Sequence, residues 1–121
     1  MLVVPYDEDA MTKRFDYPAP KYYILAGRNP LAVPLMVWAR WFETADRRIA
    51  FTEYGKVSIS TVFLGLDHSF DYTGKSPPIL FESMIFGGQH DGYTDRCATY
   101  DEAEAMHKAT CAMVKQLRVV K

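Results

Sequence analysis

The stretch Arg48-Ile49-Ala50-Phe51-Thr52-Glu53-Tyr54-Gly55-Lys56-Val57-Ser58-Ile59-Ser60-Thr61-Val62-Phe63 decides the fold. Two runs rich in β-branched and aromatic residues flank a Gly-Lys pair, and glycine supplies the positive φ that the first central residue of a two-residue hairpin turn needs. Counting back from the turn pairs Phe51 with Ser60 and Ile49 with Val62 on one face, and Thr52 with Ile59 and Ala50 with Thr61 on the other. Neither face is strongly polar, so both are expected to be covered.

Working outward, the Tyr-Tyr-Ile-Leu run within residues 21 to 26 reads as a strand that Gly27, Asn29 and Pro30 break. Pro34 suits a first helical turn, and Leu35, Met36, Trp38, Ala39 and Phe42 recur at helical spacing up to about Asp46. Residues 67 to 78 form a polar loop with Gly74 and Pro77-Pro78, and residues 79 to 86 read as a further strand ended by Gly87-Gly88. Residues 93 to 98 suit a short edge strand. Thr99 and Glu102 have the spacing of a capping box, opening a helix with Ala103, Met106, Thr110, Met113, Val114 and Leu117 on one face. The expected fold is therefore α+β, an antiparallel sheet of four to five strands with two helices, the carboxy-terminal one on a sheet face. Its core is expected at Ile49, Phe51, Val62, Leu64, Phe81, Ile85, Met106 and Met113.

At 121 residues the chain has the size of one domain. Residues 1 to 20, with Pro5, Pro18 and Pro20 and an acidic cluster, suit an extended arm, leaving residues 21 to 121 as the single α+β domain. Hydrophobic residues at 49% and charged residues at 24% are ordinary globular usage. Fourteen basic and fifteen acidic residues give a net charge of -1, which removes the general attraction behind broad nucleic-acid or anionic-membrane binding. Met-Leu-Val-Val at the start is stopped by Pro5 and the run Asp7, Glu8, Asp9, so neither a signal peptide nor a transmembrane span is expected. Cys97 and Cys111, without metal spacing, read as reduced thiols rather than a disulfide, consistent with a cytoplasmic protein.

No catalytic motif is present. Asp67 and His68 end a long apolar strand and Glu82 sits within the next, with His90 and Asp91 just past the Gly87-Gly88 break. That set offers hard or borderline metal ligands for a metal-assisted hydrolase. The commoner roles of such residues are turn capping and pairing of Glu82 with Arg47, Arg48 or Arg96, and no HExxH or CxxC spacing supports a metal or other cofactor. Ser58, Ser60, Thr61 and Ser83 lie in strands, outside any nucleophile elbow, and read as structural, while a Cys97-His pair depends on spatial reach. Arg28, Asn29, Arg40, Arg47, Arg48 and Arg96 are candidates to meet an anion, against the alternative of arginines held in ion pairs. Trp38, Arg40, Trp41 and Phe42 crowd more than one side of the first helix, which points to an interface.

Val57-Ser58-Ile59-Ser60-Thr61-Val62-Phe63-Leu64-Gly65-Leu66-Asp67-His68, followed by Pro78-Ile79-Leu80-Phe81-Glu82-Ser83-Met84-Ile85-Phe86-Gly87-Gly88, resembles a family of small uncharacterised phage and prophage proteins. Trp41-Phe42-Glu43 upstream and Tyr100-Asp101-Glu102-Ala103-Glu104-Ala105 downstream share the likeness. The resemblance implies a genomic setting in which small accessory proteins act by stoichiometric binding, counter-defence proteins that block a host factor or sequester a nucleotide signal among them. The expected function is non-enzymatic binding of a host protein or a small anionic ligand through Arg28, Arg40, Trp41, Asp67, His68, Glu82, His90 and Arg96. The alternatives are the metal-assisted hydrolase and a virion structural or packaging accessory. A surplus of apolar surface over two helices also predicts a homo-oligomer, in the simplest case a twofold dimer through Trp38, Trp41 and Phe42 or an open sheet edge.

Overall fold

Gly55, at φ 61°, closes the expected hairpin between β3 (Arg48–Tyr54) and β4 (Val57–Phe63). The computed structural model describes residues 20 to 119 except 70, 72 and 74, with side chains as far as Lys115. The expected amino-terminal arm, but for Pro20, lies outside the described residues. Three expected pairs form, Phe51 with Ser60, Thr52 with Ile59 and Ala50 with Thr61. The fourth does not, because a bulge at Ile49 leaves Arg48 opposite Val62. The extra residue turns Ile49 toward the cluster of Phe63, Leu80 and Phe81, where its apolar side chain is better placed than in water.

β4 continues into an antiparallel meander with β5 (Phe81–Phe86) and β6 (Thr94–Cys97), giving the order β3-β4-β5-β6. The capping box forms as the Thr99–Glu102 spacing predicts, each residue's side chain accepting from the other's backbone N–H at 3.1 Å. It starts α2 (Tyr100–Val119), which contacts all four strands. Ala103, Met106, Cys111 and Val114 meet the face carrying Ile59, Phe63, Phe81 and Ile85.

The core expectation is right for Phe81, Ile85 and Met106, right in direction for Ile49 and Met113, which pack against the core clusters without being fully buried, and wrong in phase for Phe51 and Val62. In β4 the helix covers the odd positions, so Val62 belongs to the other face and is only partly buried, while Phe51 on β3 is 41% exposed. Ile49, Leu64 and Met113 are likewise only partly buried. Among the described residues only one face is covered by a helix: none packs across the face of Phe51, Val62, Met84 and Phe86, and Phe86 is 47% exposed.

Where a break was expected after Ala26, the chain makes a second hairpin. Gly27, at φ 64°, turns β1 (Tyr23–Ala26) into β2 (Asn29–Ala32). Pro30 is tolerated because, among the described residues, no further strand pairs with β2 on its outer side. Tyr23 N–H donates to Gly65 O at 2.9 Å and Asp67 N–H to Lys21 O at 3.0 Å, tying β1 to the chain leaving β4. α1 (Leu35–Thr44) then lays Trp38 and Phe42 over Gly65, their rings 4.6 Å apart, and sets Trp41 edge-on to Phe63 at 5.7 Å. The aromatic residues expected at an interface thus face inward, and Leu35, Met36 and Val37 face out. Both cysteines are free thiols. Among the described residues no helix is long and apolar enough to cross a membrane.

Candidate functional site

A cleft of about 710 Å³ opens between the loop after β4, strand β6 and the first turn of α2. His68, Ser69, Ser76, Arg96, Thr99 and Glu102 line it. Asp67 shapes the loop from beneath: one carboxylate oxygen, Oδ1, accepts from Ser69 N–H at 2.8 Å and Ile79 N–H at 2.9 Å, drawing the two ends of the loop together. Asp71 accepts from the side-chain hydroxyls of Thr73 and Ser76 and, with smaller effect, from the backbone N–H groups of the same two residues, and these bonds hold its carboxyl well below the usual carboxylate range. His68 is anchored at both levels. Its N–H donates to Ile79 O, and its ring Nδ1 lies 2.8 Å from Leu66 O, a pure acceptor, which places a proton on Nδ1.

Arg96 and Glu82 are register partners on β6 and β5, and Arg96 Nε donates to Glu82 Oε2 at 2.8 Å. The carboxylate is far more buried than the guanidinium, so Glu82 orients Arg96 at the cleft wall rather than competing for solvent. Cys97 also lines the cleft, but burial, with Glu102 and Asp95 nearby, pushes its thiol up to about 11. At neutral pH it is a thiol, a poor nucleophile.

The other expected site residues lie elsewhere. Arg28 pairs with Asp101 and Glu104 and stacks on Tyr100, with its guanidinium carbon 4.1 Å from the ring centre. Arg47 lies over Phe42 and Arg48 over Phe51, so the arginines do not converge on one anion. Arg40 is exposed on α1, and Trp41 packs on Phe63. His90 and Asp91 belong to the β5–β6 turn, where Tyr93 N–H donates to His90 O and Gly87 N–H to Asp91 Oδ1. β5 runs between that turn and His68, a span of about 20 Å. The expected cluster of His68, Glu82, His90 and Asp91 is therefore not assembled, and no group of three metal-ligating side chains occurs among the described residues.

One polar assembly escaped the sequence reading. His107 Nε2 lies 2.9 Å from Thr52 Oγ1, His107 Nδ1 lies 2.7 Å from Thr61 Oγ1, and Thr61 Oγ1 lies 2.5 Å from Ser83 Oγ. Thr61, Ser83 and His107 are buried, so these three groups satisfy one another's hydrogen bonds in the core. The signal was there: His107 stands four residues after Ala103 and three before Thr110, inside the apolar stripe of the helix.

Burial also pushes the His107 pKa below 6.5. The unfolded chain then binds the proton more readily than the folded one, so this contribution is intact above about pH 6.5 and is lost as pH falls from there toward the depressed folded value. Urea melts are expected to show lower stability at about pH 5.5 than at about pH 7, and His107→Gln is expected to flatten that slope. An unchanged slope in the variant would assign it to other groups.

Set beside models of known protein families, curated proteins and solved structures, the chain matches none of them.

Proposed function

We propose that the protein is a non-enzymatic binding protein of the phage accessory type, taking a small polar ligand with an anionic group into the cleft beside Arg96. One observation carries this reading. His68 and Arg96, distant in sequence, line one cleft together with Ser69, Ser76, Thr99 and Glu102, and its volume suits a ligand the size of a nucleotide. The guanidinium can take an anionic group while Glu82 holds its Nε edge. The thiol of Cys97 and the buried Ser83 are poorly suited to attack, which favours capture over turnover. A counter-defence role, sequestering a nucleotide signal inside a host cell, is the form of the proposal that the phage resemblance favours.

The test is a thermal-shift and calorimetric panel of cyclic and linear nucleotides. A binder is expected, with Arg96→Ala weakening it by about tenfold or more, the usual consequence of losing a charge-assisted hydrogen bond. No binder in the panel, or equal binding by the variant, would sink the cleft as the site.

Self-association is the second part of the proposal. Leu31, Leu35, Met36 and Val37 are each about half exposed or more around the start of α1, a patch of the kind that an isologous contact covers. Light scattering is expected to give twice the chain mass of 13.8 kDa, and Met36→Glu to return it to one chain. A single-chain mass for the unmodified protein removes the dimer.

A further inference from the structure

A second, smaller cleft of about 340 Å³ opens where α2 passes β3, with Thr52, Tyr54, His107, Lys108, Cys111 and Lys115 on its walls. Its charge is unbalanced. Lys108 and Lys115, seven residues apart, stand two helical turns from each other, and neither has an ion-pair partner among the described residues. The carboxylates nearest in sequence are directed elsewhere: Glu104 bonds Arg28, and Glu53, opposite Ser58, belongs to the sheet face away from α2. Two lysines, a half-buried tyrosine and a threonine line a basic, hydrogen-bonding recess, and no acidic residue is among its lining residues.

The floor of this recess is set by the hydroxyl–imidazole chain. A neutral imidazole carries one proton, and its position sets the direction of every bond in the chain. With the proton on Nε2, His107 donates to Thr52, Thr61 donates to Nδ1, Ser83 donates to Thr61, and the hydroxyl hydrogen of Thr52 remains for the cleft. With the proton on Nδ1 the directions reverse, Thr52 donates to Nε2, and only a lone pair of Thr52 faces outward. An anion accepts hydrogen bonds and repels lone pairs, so its presence favours the first arrangement.

We propose that this cleft binds a small oxyanion of phosphate size, held by Lys108, Lys115 and the Thr52 hydroxyl, and that its binding sets the tautomer of His107. The site is separate from the cleft at Arg96 and does not depend on it. Free phosphate and the phosphoryl group of an ester share the chemistry recognised.

The experiment is a titration of the full chain with inorganic phosphate at constant ionic strength, maintained with chloride, read by long-range proton–nitrogen correlation of the histidine rings. Saturable movement of the His107 signals toward the Nε2–H pattern is expected. Lys108→Ala and Lys115→Ala, both at exposed positions, are expected to raise the midpoint about fivefold or more each. Thr52→Val is expected to abolish the His107 response, Thr52→Ser to restore it, and Arg96→Ala to leave it unchanged. A parallel titration with phosphoserine identifies the source: tighter binding than inorganic phosphate supports an ester ligand, and weaker binding supports the free ion. No saturable change with either probe, the same change with chloride alone, or an unaltered midpoint in the double lysine variant overturns the site.

Discussion

Phe63→Ala is expected to lower stability by about 3–5 kcal/mol, the usual cost of emptying a buried aromatic site. Its ring is fully buried, 5.3 Å from that of Phe81 and 5.7 Å from that of Trp41, so it joins the α2 side of the sheet to α1. Neither neighbour can close the space without giving up its other contacts, because Phe81 also meets Tyr100 at 6.0 Å. Val62→Ala, one residue earlier and on the face away from α2, is expected to cost about 1 kcal/mol. Urea denaturation of the two variants reads the phase of β4 directly. Equal losses, or a larger loss at Val62, would mean that α2 covers the opposite face.

The second large effect is expected at Gly87, where alanine meets two obstacles. The backbone has φ 87°, a left-handed conformation that costs an L residue about 1–2 kcal/mol, and a Cβ there would stand 2.6 Å from Lys56 O. That oxygen belongs to the backbone of the β3–β4 turn and has no rotamer to escape into. Gly92 supplies the control, since it has the same φ with nothing within 4 Å of its Cβ position. Gly92→Ala is expected to lose about 1–2 kcal/mol, and Gly87→Ala at least about 1 kcal/mol more. Thermal or urea melts decide this, and equal losses would show that the turn yields to admit a methyl group.

The elements were legible in the sequence where their signals are local. Gly55 between two β-branched runs marked the hairpin, and the Thr99–Glu102 pair marked the start of α2. Which face is buried was not legible, because β4 and its extension are apolar in both phases: Ile59 and Phe63 alternate with Val62 and Leu64. Only the position of α2 chooses between them. The bulge at Ile49 shifts pairing without any glycine or proline to announce it, and Pro30 reads as a breaker until its strand proves, among the described residues, to pair on one side alone. For the site, nearness in sequence misled: His90 looks close to Glu82 and His68, yet β5 carries it to the far end of the sheet. Register, by contrast, brought Arg96 to Glu82, a pairing named among three possible arginines.

The order β3-β4-β5-β6 repeats the order of the chain, and this has a kinetic consequence. Every pairing joins sequence neighbours, so no strand waits for a distant segment to cross over it. The hairpin at Gly55 and Lys56 closes on a microsecond scale of about 1–10 μs, and the longer connection from β4 to β5 adds little, because closure entropy grows only logarithmically with loop length. The sheet can grow outward from a nucleus at β3 and β4, with α2 docking on a surface that is already forming. The β1–β2 hairpin and α1, tied to the chain at Gly65 and Asp67, require β4 to be in place first. They are expected to form late, so hydrogen exchange under native conditions is expected to show partial unfolding beginning at the β1–β2 hairpin and α1.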